Sequence, residues 1–464
     1  MNSHNPVPFD FIPFSNSNPQ TRTVDEWEAV GDLVSGSIDF FLTPLTPIHI
    51  VGKQERKGNK EDYKITMSHF NRAGHTPVIP ATTLKGAIRA FFEAAFNCWV
   101  SQATEEFPAE KKSRHWGFAA FGKKDKDKRL HFGPAIPKRL HPVVKDDRID
   151  LASFLFGNVI EPESKEACQD LAFSSRLIFE DLIVDPQDLD INSLRLPDVP
   201  GGAFMGGPKP NISNWWYFKP LGIAERKTEK HSVTEFIGGE YRGRKFYFHQ
   251  HPEKITAWYD NENNWDHTTK KKGRLVNNYY TYPVEIIPRD KQINGKIFFN
   301  HIPEKILNLF LSVLQPGGKI RHKIGYGQAF GLGSIDLAIE KVTITDSRQI
   351  IPIFQEHHFA PIVSKGLAGQ KEYIDNQALL WITRILSFDS LLDDKAYILS
   401  YPPYSKGFFQ TPVPIDMVRR IQKENPGCTT DVIAEKLFPI KKTIDFRVYQ
   451  EKSLLGDRIL NRWK

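Results

Sequence analysis

Alternating apolar and polar positions predict the strands of this chain. Residues 36–43 alternate most clearly, and residues 48–51 extend the same sheet signal. Further strands are predicted at 173–184, 295–300 and 334–342. Between them, residues 52–71 are polar and basic, which predicts a protruding loop or ribbon. Residues 186–220 are rich in Pro, Gly and Asn and predict an irregular, inserted region.

Helical spacing predicts a helix that starts after Pro80. Its apolar positions are Leu84, Ile88, Phe91, Phe92 and Ala95. The opposite face carries Lys85, Arg89 and Glu93 at i, i+4 spacing. Thr82 or Thr83 is predicted as the N-cap. Lys85 then lies in the first turn, against the helix dipole, which favours a bound anion there; the alternative is an exposed lysine beside a solvated ion pair.

Other helices are predicted at 151–156, ended by Gly157, and after Pro303, ended by Gly317 and Gly318. The C-terminal part predicts helices near 376–388, 415–423 and 430–437. The succession of strand, helix, glycine-rich loop and strand is the back half of a ferredoxin-like arrangement, and the strand at 36–43 with the Leu84 helix is its front half. The predicted fold class is therefore α+β.

The predicted organisation has five parts. They are an N-terminal extension (1–35), a first core part with a protruding loop at 52–77 (36–185), an insertion (186–294), a second core part with the glycine-rich loop (295–343) and a helical C-terminal extension (344–464). At 464 residues the chain is long enough for two or three domains, or for one domain with large insertions.

Composition narrows the class of protein. The chain is 40% hydrophobic and 25% charged, and it has no run of 18 apolar residues, so no membrane span is expected. Its three cysteines share no metal-ligand spacing and are interpreted as buried apolar residues in a reducing compartment. The predicted location is cytoplasmic.

Basic residues lie among aromatic ones in two regions. Between residues 111 and 139 there are ten Lys or Arg and two acidic residues, and a second region contains Arg242, Arg244 and Lys245 followed by 270–274. Cations beside flat rings are typical of proteins that hold single-stranded nucleic acid. The alternative is a solvated lysine-rich loop, which is favoured for residues 123–129.

The glycine-rich loop is the most informative segment. Four glycines (Gly325, Gly327, Gly331 and Gly333) follow three cations (Lys319, Arg321 and Lys323). Glycines allow a backbone to approach an anion closely, so the loop is a candidate phosphate site. The spacing matches neither mononucleotide nor dinucleotide fingerprints, which indicates a polynucleotide backbone. The alternative is a hairpin that only connects two strands.

Five collinear motifs resemble those of the CRISPR-associated RAMP superfamily. They are Val78-Ile-Pro-Ala-Thr-Thr-Leu-Lys-Gly-Ala-Ile-Arg89, Phe154-Leu-Phe-Gly157, Ser175-Arg-Leu-Ile-Phe-Glu-Asp181, Gly243-Arg-Lys-Phe-Tyr-Phe-His249 and Lys323-Ile-Gly-Tyr-Gly-Gln-Ala-Phe-Gly-Leu-Gly-Ser334. Ala81 replaces the usual glycine of the first motif. The motifs span roughly residues 36 to 342, and the remainder carries no motif that can be assigned.

The resemblance implies an RRM-like, ferredoxin-like RAMP core that binds CRISPR guide RNA. It implies a backbone subunit of a type III, III-D-like effector complex, whose partners are guide RNA, complementary target RNA and other effector subunits. The protruding loop would act as a thumb that opens the guide–target duplex. The implied RNA contacts are Thr82, Thr83, Lys85, Arg89, Arg242, Arg244, Lys245, Lys319, Arg321, Lys323, Gly325, Tyr326, Gly327, Gly331 and Gly333.

Three functions stay open at this point. The chain could be a guide-binding subunit without cleavage activity. It could cleave target RNA with Mg²⁺ held by Asp62, the carboxylate nearest to the position where the family carries an aspartate. It could also be a stand-alone guide-processing ribonuclease that uses His69 as a general acid. The alternative for both residues is a solvated position on the loop.

Overall fold

The protein is described here by a computed structural model. The structure describes residues 8–59, 63–101, 136–142, 147–160, 171–198, 240–253, 280–346, 354–370 and 372–388, together with short segments at 106–107, 130–131, 218–219, 222–227, 232–237, 268–271, 274–277, 413–414, 423–424 and 426. Among the helices of these segments, none has the length and apolar character needed to cross a membrane.

Within the described segments, six helices and fourteen principal strands carry the fold. The helices are α1 (Val24–Glu28), α2 (Ala81–Ala95), α3 (Leu151–Phe156), α4 (Glu304–Leu314), α5 (Ala360–Lys365) and α6 (Asn376–Leu386). The strands are β1 (Phe9–Ile12), β2 (Leu33–Pro44), β3 (Val51–Lys57), β4 (Lys64–Phe70), β5 (Thr76–Ile79), β6 (Leu177–Phe179), β7 (Leu182–Ile183), β8 (Arg195–Asp198), β9 (Arg244–Tyr247), β10 (Tyr280–Pro283), β11 (Ile293–Pro303), β12 (His322–Lys323), β13 (Ser334–Asp346) and β14 (Phe354–Glu356).

Shorter elements complete the described chain. Further strands are Thr21–Arg22, Arg72–Ala73, Glu106–Phe107, Leu130–His131, Ile149–Asp150, Asn158–Ile160, Leu171–Phe173, Phe218–Lys219, Gly222–Lys227, Ser232–Ile237, Glu240–Tyr241, Thr268–Lys271, Arg274–Asn277 and Val413–Pro414. Short 3₁₀ turns lie at Lys138–Leu140, Pro186–Asp188, Gln328–Phe330 and Leu367–Gly369.

The central sheet has the strand order β6-β11-β2-β13-β12, and β14 pairs with β13 as the sixth strand. The pairs along this path are antiparallel. Along the chain, α2 follows β2 and α4 follows β11. The alternation of β2, with Ile38, Phe40 and Leu42 buried, directs one face of the sheet toward these two helices. The fold is thus a mixed α/β structure in which strands predominate.

The helices cover that face with the apolar stripes expected from the sequence. In α2 these are Leu84, Ile88, Phe91 and Phe92, and in α4 they are Ile306, Leu307, Phe310 and Leu314. All belong to the same buried cluster as the inward residues of β2 and β11. Fully burying one such side chain contributes about 1.5–3 kcal/mol, so this cluster dominates the stability of the core.

Residues 51–57 and 64–70 form the expected ribbon, because β3 and β4 pair as an antiparallel hairpin. Its far end, where Arg56 pairs with Ile65 and Lys57 with Lys64, lies away from the end at which the chain enters and leaves. Ile65 packs there into a second apolar cluster, which also contains Leu194, Leu196, Tyr282, Val284, Ile286, Phe330 and Leu332. The far end of the ribbon is therefore packed against β8, β10 and the glycine-rich loop rather than against solvent.

The N-terminal and C-terminal parts join the main core. Strand β1 pairs with β9, and α6 packs against β1, β9 and α2. The helix α6 is fixed at its start by Asp375, whose side chain accepts from the backbone of Gln377 and Ala378. Its residues Ile382 and Ile385 are buried in the core cluster. The five predicted part boundaries stay a prediction, but their apolar residues share one cluster.

Several element predictions need correction or lie outside the described residues. The N-cap of α2 is Pro80, without a side-chain cap from Thr82 or Thr83, so that prediction is wrong. The predicted strand at 173–184 contains two strands, β6 and β7, which are separated at Glu180 and Asp181. The predicted helices at 415–423 and 430–437 lie almost entirely outside the described residues.

Candidate nucleic-acid interface

The first turn of α2 is capped by a residue distant in sequence. Asp181 Oδ1 accepts a hydrogen bond of 2.7 Å from the backbone N–H of Ala81. A carboxylate at this position satisfies a free N–H group and complements the helix dipole. The break between β6 and β7 is what brings Asp181 to the helix. The acceptor expected from Thr82 or Thr83 is thus supplied from the sheet.

Lys85 lies on the next exposed position of the same helix. Its Nζ donates to Ser175 Oγ at 2.8 Å, which is a hydroxyl and not a carboxylate. Partial burial, and then the neighbouring charge of Arg89, lower the pKa of Lys85. The ammonium group is therefore less well compensated than it would be in water. A bound anion would offset both effects that lower the pKa of Lys85.

Arg89 is directed into the protein. Its Nε lies 2.8 Å from Glu93 Oε1, and its Nη1 donates to the carbonyl of Gly157 at 2.8 Å. Glu93 also binds Arg244 Nη1 at 3.1 Å, and Arg244 donates to the carbonyls of Cys98 and Trp99. The Glu93 side chain is 6% exposed. The ion pair expected to be solvated is therefore part of a buried triad that joins α2 to β9.

The glycines of the loop adopt the positive φ angles that the sequence predicts. They are 78° at Gly325, 76° at Gly327, 92° at Gly331 and 79° at Gly333. The loop does not, however, direct most of its N–H groups outward. Donors that bind backbone carbonyls are those of Ile324, Tyr326, Phe330, Gly331, Leu332 and Gly333. These groups are committed to the fold, so the expected phosphate-binding concavity is not formed by them.

Lys323 is buried at one end of this loop. Its Nζ donates to the carbonyl of Phe248 at 3.2 Å and lies 3.4 Å from Ser334 Oγ at the other end. Burial lowers the pKa of Lys323 to about 7. His249 Nδ1 lies 2.8 Å from Ser334 Oγ and its Nε2 lies 3.1 Å from the carbonyl of Leu386. Lys323 therefore closes the loop internally.

The other predicted cations differ in burial and contacts. Arg321 forms an ion pair of 2.9 Å with Asp336, and Lys245 Nζ lies 4.1 Å above the ring of Phe9. Lys319 is exposed and Arg242 is partly exposed. The structure thus brings Lys323 and the glycines together, and Lys319 is the most exposed cation of the predicted set.

His69 lies on the ribbon between two carboxylates. Its Nε2 is 3.1 Å from Glu55 Oε1 and its Nδ1 is 4.0 Å from Glu285 Oε2. Partial burial would raise the pKa of Glu285, but the hydrogen bonds from Arg72 and from the backbone of Phe70 lower it overall. A general acid at His69 would first have to separate from Glu55.

Asp62, the predicted Mg²⁺ ligand, lies outside the described residues, which resume at Tyr63. Within the described part of the chain, no group of three or more His, Cys, Asp or Glu side chains is arranged to hold a metal ion. Metal-dependent cleavage through Asp62 therefore stays a prediction from the sequence.

The open face of the central sheet has mixed character. Ile178 on β6 and Phe298 on β11 are paired neighbours that are 61% and 39% exposed. The next row contains Lys296 and Asp39, which form an ion pair of 3.0 Å. A cation that is already neutralised by a carboxylate offers little attraction to phosphate.

An aromatic group, of which the sequence patterns named Tyr326 alone, lies beside the ribbon. It consists of Tyr63, Tyr280 and Tyr326, which are partly buried against the second apolar cluster. Tyr63 precedes the other two by more than 200 residues, so a search for basic and aromatic residues within one segment does not connect them. The adjacency of Tyr63 and Lys64 was the local signal.

The five motif segments contact one another throughout this region. Asp181 binds Ala81, Lys85 binds Ser175 and Arg89 binds Gly157. Arg244 binds Glu93 beside the first motif, and His249 meets Ser334. Segments distant in sequence are thus joined into one framework of hydrogen bonds, which explains why they recur together.

Comparison with known proteins matches residues 41–336 to the family described as the RAMP superfamily. Among solved structures, the chain is similar to the crystal structure of Thermofilum pendens Csc2, with 10% identity and a TM-score of 0.27 over 88% of this chain and 95% of that chain. It is also similar to a chain of a type IV-B CRISPR complex, with 11% identity and a TM-score of 0.25 over 70% of this chain and 96% of that chain. No curated protein matches the sequence.

Proposed function

The chain belongs to the RAMP superfamily, and from this premise we propose that it binds CRISPR guide RNA as a backbone subunit of a type III effector complex. In this role it positions guide and target RNA for RNA-targeting defence. RNA held through its backbone is recognised by shape and pairing, so the subunit needs no base code of its own.

The observation that carries this proposal is the incomplete neutralisation of the cations on α2. Lys85 is partly buried and bound to a hydroxyl, and its pKa is lowered by burial and by Arg89. Arg89 Nη2 is buried and has no hydrogen-bond partner among the described residues. One carboxylate, Glu93, is shared by Arg89 and Arg244. A phosphate beside Lys85 would supply the missing negative charge.

The strand order supports the ferredoxin-like core that we propose for this subunit. The sequence β2–α2–β6–β11–α4–β13 with the spatial order β6-β11-β2-β13 corresponds to a split βαβ arrangement repeated twice. The ribbon of β3 and β4 extends from the segment that joins β2 to α2, where the proposed thumb is expected.

The test is RNA binding by the chain assembled with its partner subunits. We expect Lys85→Glu to weaken binding of labelled guide RNA by about tenfold or more, because an attraction becomes a repulsion, and to reduce the dependence of affinity on salt. The control is Lys305→Glu, since Lys305 is exposed on α4. Equal affinities for the two variants would contradict the proposal.

Cleavage is a separate question with a separate experiment. Target RNA is incubated with the assembled complex in Mg²⁺ or in chelator, with wild type, Asp62→Ala and His69→Gln. If Asp62 holds a catalytic Mg²⁺, cleavage requires Mg²⁺ and is lost in Asp62→Ala while RNA binding is kept. Metal-independent cleavage of precursor guide RNA that is lost in His69→Gln would instead identify a guide-processing ribonuclease.

A further inference from the structure

Three tyrosines from separate parts of the chain pack against the same apolar cluster beside the ribbon. Tyr63 precedes β4, Tyr280 begins β10 and Tyr326 belongs to the glycine-rich loop. We call them the tyrosine surface. Each is partly exposed and packs against the buried cluster around Ile65 and Phe330. Rings with a rigid apolar support lose little conformational freedom when a flat ligand stacks on them.

The positions of the three rings are fixed by specific contacts. Tyr280 Oη accepts a 2.9 Å hydrogen bond from the backbone N–H of Ile65, which ties β10 to the ribbon. The backbone N–H of Tyr326 donates to the carbonyl of His49 at 2.8 Å, and the two rings meet edge to face at 6.0 Å. Tyr326 lies between Gly325 and Gly327, both with positive φ. The glycines thus position a ring.

Two exposed cations lie over this surface. The guanidinium of Arg56 is 4.6 Å from the ring centroid of Tyr63, and Lys64 Nζ is 5.3 Å from that of Tyr280. Such contacts at exposed sites are weak, on the order of 0.5–1 kcal/mol, so both side chains can exchange a ring for a phosphate. Lys57 is paired in register with Lys64 and adds a third exposed charge.

The phenols of Tyr280 and Tyr326 remain neutral over the physiological range. Burial is the main cause that raises the pKa of Tyr280 and of Tyr326, in each case to about 12. Neutral hydroxyl groups do not repel a phosphate. Flat rings flanked by exposed cations are the combination that binds unpaired nucleotides, with bases on the rings and phosphates on the cations.

We propose that the tyrosine surface stacks unpaired RNA bases, while Arg56 and Lys64 bind the adjoining phosphates. The proposal rests on the proposed function. It adds that the bound RNA has unpaired bases and names the residues that contact them. The faces of a base inside a duplex are covered by its neighbours. RNA must therefore be single-stranded or locally unstacked where it meets the far end of the ribbon.

The test combines protein variants with modified RNA. In the assembled complex, we expect Tyr63→Leu to reduce the affinity for single-stranded RNA by roughly 5- to 100-fold, the range of one lost base stack. Tyr63→Phe keeps the ring and should bind as wild type does. Tyr373→Leu removes a partly buried tyrosine beside the main core and serves as the matched control.

An abasic scan of the RNA locates the stacked base. One abasic position should lower the RNA affinity of wild type, because it removes the base that stacks on Tyr63. The same position should not change the affinity of Tyr63→Leu, which already lacks this stack. Photocrosslinking of RNA that contains 5-iodouridine, followed by peptide mass spectrometry, should recover the peptide that carries Tyr63 or Tyr280. The crosslink is measured on wild type, so it does not depend on the stability of a variant.

Three outcomes would overturn the proposal. They are an unchanged affinity in Tyr63→Leu, an equal response to abasic RNA in wild type and variant, and crosslinks confined to other peptides. A loss of subunit assembly with unchanged RNA affinity would assign the surface to a protein partner. If wild type binds no RNA, the proposed function itself fails; if wild type binds and the tyrosine variants match it, the tyrosine surface alone is wrong.

Discussion

At the scale of residues, the fold uses many of the cations that the sequence suggests for RNA. Arg89 and Arg244 share the buried Glu93, and Lys323 closes the glycine-rich loop from inside. The motif pattern singled out these residues, but it did not show whether they face a ligand or the core. Burial depends on contacts between segments that are distant in sequence, and a single sequence does not contain that information.

The buried Lys323 makes stability depend on pH. Its pKa is about 7 in the folded protein and 10.5 in the absence of burial. Between these values the unfolded chain binds more protons, so the free energy of unfolding should rise with pH, by up to about 1.4 kcal/mol per unit. Urea denaturation of wild type and Lys323→Met between pH 7 and 10 measures this contribution as the difference in slope.

The exposed Lys319 provides the control for this pH effect. Lys319→Met should keep the wild-type slope, because it replaces an exposed lysine and leaves the buried Lys323 in place. A slope in Lys323→Met equal to that of wild type would mean that Lys323 is charged and well solvated in the folded protein.

At the scale of elements, periodic patterns located the strands and helices, but local features such as the helix cap were not predicted. Alternation located β2, β11 and β13, and helical spacing located α2 and α4, because each buries one face. The cap of α2 was missed because Asp181 acts across about a hundred residues of sequence. The interpretation of the glycine-rich loop was half right, since the φ angles are confirmed while most of its N–H groups bind carbonyls.

Two glycine-to-alanine substitutions should change the free energy of unfolding in opposite directions. At Gly333, with φ of 79°, a Cβ would lie 1.9 Å from the carbonyl oxygen of Ile324. Gly333→Ala should therefore lower the free energy of unfolding by about 2 kcal/mol or more. Gly86 lies within α2 and a Cβ there meets no atom within 4 Å. Gly86→Ala should raise the free energy of unfolding by about 1 kcal/mol.

Chemical denaturation of both glycine variants measures these effects. The pair is informative because the substitution is chemically identical at the two positions. A similar loss at both would show that the surroundings of Gly86 are more crowded than described. No loss at Gly333 would show that the loop can rearrange around Ile324.

At the scale of the whole molecule, the described segments before β2 and after β13 are part of the core. Strand β1 pairs with β9, and α6 packs on both and on α2. Beyond α6, the backbone of Phe388 donates to the carbonyl of Lys319, and Arg321 donates to that of Leu386. The sequence predicted this segment as an extension added to a complete core. Its apolar positions alone do not show which other segments they contact.

Shortening Ile382 should test this continuity. Ile382 is fully buried in the main cluster, so Ile382→Ala should destabilise the protein by about 2–5 kcal/mol. Hydrogen exchange should then show loss of protection in β2 as well as in α6, since both share one core. Loss confined to α6 would mean that the C-terminal part unfolds independently. Leu379→Ala, at a partly buried position, should have a smaller effect.

The closure of the helical layer by α6 also sets the order of events during synthesis. Strand β2 leaves the ribosome early, but the helix that completes the layer over α2 follows it by more than three hundred residues. At translation rates of about 5–20 residues per second, that interval lasts on the order of tens of seconds. During this time Ile382 and its neighbours are absent and the nascent chain exposes apolar surface. Chaperones therefore have a defined period in which to act before the helical layer is complete.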